Sequence, residues 1–312
     1  MIEKSAAPRI LGLLLLVFLC FIQAAAGSEV VLEDSHILVA FDSDTGALTR
    51  MEDRSSHWMI ERRPELGVSF RLFAPLPNRR YNPVLGQKQR NAEVKKVSDH
   101  EVRLQWKDLV SENGGVLPIK LSADVTLIDG ALTFSATLQN DSSLKVETID
   151  YPYLGDLNPP ARKGVEMGVV IMRDNKADDL DYDEIYPFFG SQIGYWGIFY
   201  PLKTREANRS LFCLIQAPDK GLYVEVAADA APYRLQYTFE QHPGVLSSIT
   251  NLVPPEDDIA GTPVHLEFRM CHFIFAAPHS TTRMVPVVLR CYQGNRQAGV
   301  DLYNQWRGTL NH

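Results

Sequence analysis

HILVAFDSDTGALTRM, residues 36–51, sets the reading of the whole chain. Ile37, Val39 and Phe41 recur at every second position, so an extended strand carries all three on one side. Asp42-Ser43-Asp44-Thr45-Gly46 then supplies turn chemistry, and Leu48 resumes the apolar run. The stretch predicts a β-hairpin. The same alternation returns in GVSFRLF, HEVRLQW, LPIKLSADVTLI, ALTFSATLQN, GVEMGVVIM, SLFCLIQ, GLYVEVAAD, YRLQYTF, VHLEFRMCHFIFAA and MVPVVLRCY. Asn113-Gly114-Gly115, Asp129-Gly130, Asp219-Lys220-Gly221 and Pro254-Pro255 punctuate them. Two segments look helical: RRPELG, which is too short to stand as a helix, and QAGVDLYNQWRGTL near the C-terminus, with Leu302, Tyr303, Trp306 and Leu310 on one face. No fixed-period repeat and no low-complexity linker divides the chain. The expected fold is therefore all-β, a large antiparallel β-sandwich with a short C-terminal helix.

The first 26 residues read as an export signal. Lys4 and Arg9 precede an apolar run from Ile10 to Ile22, and Ala24, Ala25, Ala26 and Gly27 offer small residues for cleavage. That run is short for a bilayer span, and nothing later is long and apolar enough to cross as a helix. A secreted or periplasmic protein is expected, with no membrane association beyond the signal peptide. The 312-residue chain has a formal net charge of −7. The leader carries one net positive charge (Lys4 and Arg9 against Glu3), so the remainder is near −8, a balance that disfavours nucleic acid and anionic lipid. Arg79-Arg80 and Lys95-Lys96 are the compact basic pairs. Cys213, Cys271 and Cys291 follow the leader, too few for a disulfide framework, with Cys271–Cys291 the one pairing considered. Asn140-Asp141-Ser142 and Asn208-Arg209-Ser210 match the glycan acceptor pattern.

Aromatic residues crowd one segment. Between Tyr182 and Tyr200, eight of nineteen residues are aromatic, in a chain that is 10% aromatic throughout. Pro187, Gly190, Gly194, Gly197 and Pro201 interrupt regular structure there. Rings on irregular backbone beside carboxylates suit sugar stacking; rings filling a sandwich core are the competing explanation. On the first reading Trp196 and Tyr195 are stacking platforms, Tyr186 a further one, and Asp181, Asp183 and Gln192 partners for sugar hydroxyls. Asp179, Asp181 and Asp183 alternate along a strand and form an alternative calcium site, although the EF-hand pattern fails because Glu184 and Gly190 occupy its glycine and glutamate positions. No other cofactor or metal is expected. No GxSxG elbow, HExxH helix, phosphate loop or dinucleotide fingerprint is present. His242 and His272, with Glu240 and Glu267, are the candidate catalytic residues if the protein is an enzyme.

Three passages resemble the galactose-mutarotase-like β-supersandwich. ILVAFDSDTGALTRMEDRSSHWMI is similar to its opening hairpin. YPFFGSQIGYWGIFYP followed by SLFCLIQAPDKGLYVEVAAD is similar to its Tyr-Pro aromatic strand and Gly-Leu-Tyr hairpin. CYQGNRQAGVDLYNQWRGTL resembles the strand and helix that lead into the catalytic barrel of secreted glycoside hydrolases. The resemblance implies a domain over residues 27–295 and, at 296–312, a helix of the kind that links to a barrel lying outside this sequence. It implies an accessory module recognising oligo- or polysaccharide, without catalysis of its own. Two other readings stand beside it. One is a sugar epimerase or polysaccharide lyase using the His/Glu pairs above, although the Asn-His-Pro-type segment of the epimerases is missing. The other is a structural subunit that docks a separate catalytic chain through Tyr303 and Trp306.

Overall fold

The computed structural model describes residues 28–61, 69–90, 92–157, 168–176, 179–185, 194–195, 198–202, 209–226, 233–242, 244–245 and 265–310. Alternation becomes burial in the longest hairpin. Along Ile119–Ile128 and Ala131–Asn140 every second residue is buried, from Leu121 to Leu127 on one strand and Leu132 to Leu138 on the other. Asp129 and Gly130, both at positive φ (48° and 72°), close the turn between them. This pair lies within a ten-stranded sheet, flanked by Glu101–Trp106 on one side and Val287–Gln293 on the other. A six-stranded sheet faces it, with strands in the order Ile198–Leu202, Arg234–His242, His265–Phe273, Thr148–Leu157, Arg71–Phe73 and Pro83–Leu85. Between them lies one apolar cluster that includes Leu121, Val125 and Phe134 from the first sheet and Ile149, Tyr237, Phe268 and Met270 from the second. The architecture is an antiparallel β-sandwich with a C-terminal helix.

The opening hairpin forms as its pattern predicts. Ile37–Asp42 pairs antiparallel with Leu48–Asp53, with a register shift between Ala40 and Phe41. Asp42 Oδ1 accepts from the Asp44 and Thr45 amides at 3.0 and 2.7 Å and from Thr45 Oγ1 at 2.7 Å, so the aspartate builds the turn. Gly46 sits at φ 68°, and a Cβ there would lie 2.5 Å from the Trp106 ring. Trp106 Nε1 donates to the Thr45 carbonyl at 2.9 Å, tying this hairpin to the large sheet.

The helix Arg296–Leu310 lies on the outer face of the ten-stranded sheet. Tyr303 stacks on Phe212 with ring centroids 4.9 Å apart, and the helix approaches so closely at Gly299 that a Cβ would meet Leu214 at 2.7 Å. Tyr303 is thus buried against its own domain, which removes it from the docking surface considered above. Three further expectations meet the structure here. Cys271 and Cys291 are both free and belong to different sheets, so they do not pair. Cys213 is fully buried in its strand, as its apolar neighbours imply. Asn140 is fully buried and its Nδ2 donates to the Leu144 and Ala277 carbonyls, which rules out a glycan on it in the folded chain. Asn208 and RRPELG (residues 62–67) lie outside the described residues.

Candidate functional site

Sheet register gathers residues that the sequence scatters. Gln236 pairs with Cys271, Cys271 with Asp150, and Asp150 with Arg71, a row across four strands at roughly 4.8 Å spacing. Because side chains alternate, this row shares its face with Thr238, Arg269 and Phe273, while Tyr237, Phe268, Met270 and His272 enter the core. Between Asp150 and Tyr153 the pairing with His265–Phe273 slips by one residue. That bulge re-aims Tyr153 onto the same outward face, against Arg269.

The result is a cleft of about 450 Å³ on the six-stranded sheet. Its floor is a buried ionic network. Arg71 Nε donates to Asp150 Oδ2 at 2.8 Å, and Arg269 Nε reaches the same oxygen at 3.2 Å. Arg269 Nη1 lies 3.7 Å from Glu267 Oε2, which accepts from the Tyr153 hydroxyl at 2.7 Å. The Arg269 guanidinium also sits 5.5 Å from the Tyr153 ring centre. Burial first, and the Glu267 charge second, push the Tyr153 phenol well above its ordinary value. Burial, then the Asp150 charge, does the same to the Cys271 thiol. Both stay protonated at neutral pH, so Cys271 is no nucleophile.

The rim is aromatic. Phe73, Tyr81 and Phe275 line the opening with Pro75, and the Phe73 and Tyr81 rings stand 5.8 Å apart. Tyr81 and Phe275 are 62% and 54% exposed, large rings left facing solvent. Phe275 holds φ 45°, a conformation that bulky side chains rarely adopt. It is fixed there by its own amide, which donates to the Glu147 carbonyl at 3.1 Å. The Glu147 carboxylate in turn receives both Arg80 Nη atoms at 2.9 and 2.7 Å, fork to fork. Arg80 belongs to the basic pair visible in the sequence; Lys95-Lys96 lie on Glu93–Ser98, at the edge of the other sheet opposite to Asp179–Ile185.

His272 is a structural residue. Its Nε2 lies 2.9 Å from the Tyr151 carbonyl, so this nitrogen carries the proton, and Nδ1 accepts from the Tyr233 hydroxyl at 3.2 Å. Tyr233 oxygen in turn accepts from the Val285 amide at 2.8 Å. Burial holds the imidazole neutral, down to about 4. His272 and Glu267 thus occupy opposite faces of one strand, and the catalytic pair read from them is not assembled. The other pair, Glu240 and His242, lies on the single strand Arg234–His242, in register with Glu267 and His265 of the neighbouring strand; the side chains of Glu240, His242 and His265 lie outside the described residues.

The aromatic segment is described only in part. Trp196, Tyr186 and Gln192 lie outside the described residues; Tyr195 belongs to a short strand paired parallel with Gly244–Val245. Asp179, Asp181 and Asp183 lie on Asp179–Ile185, the edge strand of the ten-stranded sheet, and their side chains are likewise outside the described set. Ile198–Leu202, which follows Trp196, is the outer strand of the sheet that carries the cleft.

No protein-family profile and no curated protein matches this sequence. Solved structures do match its fold. A provisionally assigned aldose 1-epimerase from Escherichia coli K12 superposes with a TM-score of 0.51 at 12% identity, over 85% of this chain and 99% of that one. A galactose mutarotase related enzyme from Lactobacillus acidophilus gives 0.49 at 10% identity, over 86% and 99%. The α-galactosidase of Lactobacillus brevis gives 0.49 at 9% identity, over 87% of this chain and 40% of its own. At these identities the likeness concerns architecture: the chain has the galactose-mutarotase-like β-sandwich fold.

Proposed function

We propose that this protein is an exported carbohydrate-binding module, non-catalytic on its own, whose saccharide site is the cleft of the six-stranded sheet. One observation carries the proposal: solvent-facing Tyr81 and Phe275 stand over a floor of guanidinium, carboxylate and amide groups within 450 Å³. Rings present flat apolar faces to a pyranose, while the polar floor bonds its hydroxyls. Among the described residues no histidine lines the cleft, and burial holds its Cys271 thiol protonated, so the groups in place bind and orient. Trp196 and Tyr195, with Tyr186, Asp181, Asp183 and Gln192, are proposed as a second contact region near the outer edge of the same sheet. The fold supports this reading because solved proteins that share it include a provisionally assigned aldose 1-epimerase. A glycan array with wild type, Tyr81→Ala and Trp196→Ala tests it. Binding that disappears in Tyr81→Ala fits the cleft; signals indifferent to both substitutions remove it. Sequencing the N-terminus of protein recovered from the culture medium or periplasm tests export, with a start near Gly27 expected.

A second reading has one specific support. The pairs Glu240–Glu267 and His242–His265 align acids and histidines on adjacent strands, as a sugar epimerase or lyase would need. Turnover of a sugar panel by wild type, lost in His242→Asn with Glu240→Gln, would replace the binding reading by this one. Partnership with a separate catalytic chain is tested by co-purification from the native host.

A further inference from the structure

Resting on the saccharide reading above, we infer that the cleft is built for a sugar bearing a carboxylate, a uronate, in preference to a neutral hexose. The argument starts from which partner of each ion pair meets the solvent. In the Arg71–Asp150 pair the arginine side chain is 28% exposed and the carboxylate 4%. In the Arg80–Glu147 pair the figures are 78% and 20%. Both carboxylates lie beneath their guanidiniums. Arg269, the third cleft arginine, is buried between Asp150 and Glu267 and holds the floor in place. An approaching ligand therefore meets hydrogen-bond donors carrying positive charge, in a protein whose remainder is strongly acidic.

Those donors are not used up. Arg71 places Nε and Nη2 on a single oxygen, Asp150 Oδ2, each at 2.8 Å, and its Nη1 has no protein acceptor among the described residues. Arg80 spends its two Nη atoms on Glu147 and remains mostly in solvent. Asp150 Oδ2 is already shared between two arginines, so it is a poor acceptor for a sugar hydroxyl. A neutral hexose would find charged donors in excess and the Asp150 Oδ2 acceptor already engaged. A planar carboxylate offers two acceptor oxygens to these planar forks, and such charge-assisted bonds are roughly twice as strong as neutral ones. Phe73 and Tyr81 flank Arg71 and Arg80, which places a stacking face beside the charge.

Isothermal titration calorimetry of the full mature chain tests this. The probes are trisaccharides of glucuronate, galacturonate and mannuronate, the matching trisaccharides of glucose, galactose and mannose, and a sulfated galactose trisaccharide. At least one uronate trimer should bind about tenfold or more tightly than its neutral counterpart, the size of one or two charge-assisted bonds. Arg71→Gln should abolish that preference, and Arg80→Gln, exposed and remote from the core, should cut it by about threefold. If Arg71→Gln loses its far-ultraviolet circular dichroism, Arg80→Gln and the salt dependence decide: uronate affinity must fall between 50 and 500 mM salt, on the order of the screening lengths involved. Neutral trimers binding as well as uronates would overturn the inference and leave the saccharide site standing. The sulfated sugar binding more tightly than any uronate would overturn the carboxylate assignment. No binding by any trimer would overturn both.

Discussion

On the inward face of the strand His265–Phe273, Phe268, Met270 and His272 have their demands met within the protein: apolar neighbours for two, and a carbonyl and a phenol for the third. On its outward face, Arg269 and Cys271 stand in a cleft whose surface arginines still hold donors to spare. The two faces are one residue apart in sequence and differ in purpose. A histidine that looks catalytic by type is satisfied scaffolding, whereas the groups this strand turns to the cleft are an arginine and a thiol that no motif flags. Residue type suggested the site; the side of the strand decides it.

The comparison breaks most readily on the inward face. Phe268→Ala should cost about 3–5 kcal/mol of unfolding free energy, since a fully buried ring leaves a cavity between two sheets that cannot close together. Urea denaturation measures it. A loss below about 1 kcal/mol would mean that the inward face is not the packed interior described. Next in size is a pH effect. The unfolded His272 takes a proton near its ordinary value of 6.5, whereas the folded imidazole stays neutral to about 4. Between those limits the unfolded chain binds more protons, so this contribution is complete above pH 6.5 and is lost as pH falls toward 4. The loss amounts to roughly 3 kcal/mol. Wild type should lose stability across that window more steeply than His272→Gln; parallel curves would contradict a buried neutral imidazole.

How much of this was readable beforehand follows from the same distinction. Strand alternation is local, so Ile119–Ile128, Ala131–Asn140 and the Asp42–Gly46 turn could be read directly, and with them the sandwich. The Cys271–Cys291 pairing failed because spacing along a chain carries no information about which sheet a strand joins. The cleft residues Arg71, Asp150, Gln236 and Arg269 come from four strands, and only the register makes them neighbours. Nor does any pattern announce the bulge that turns Tyr153 outward. Tyr81 had a faint signal, an aromatic beside the Arg79-Arg80 pair, and the denser rings of residues 182–200 drew attention from it.

The outward face is sharpened by Tyr81. Its ring is largely exposed and touches Phe73 at 5.8 Å, so Tyr81→Ala should leave thermal stability nearly unchanged. Affinity for a bound trisaccharide should fall by about three- to tenfold, the size of one lost stacking contact. A drop in stability with affinity intact would place the ring in the scaffold and return it to the inward class.

Phe275 offers the smallest and most discriminating effect, because stability and binding should move in opposite directions. At φ 45° a phenylalanine sits where its Cβ crowds the backbone, at a cost of order 1 kcal/mol. The ring recovers little of that by packing, since more than half of it faces solvent. Asparagine adopts this conformation readily and, unlike glycine, adds little backbone entropy to the unfolded chain. Phe275→Asn should therefore raise unfolding free energy by about 0.5–1 kcal/mol while weakening saccharide binding about threefold through loss of the rim ring. Scaffold residues do not show that pairing: removing one lowers stability, with or without affinity. Phe275→Asn that loses stability would assign the strained ring to packing, and the rim would then rest on Tyr81 and Phe73 alone.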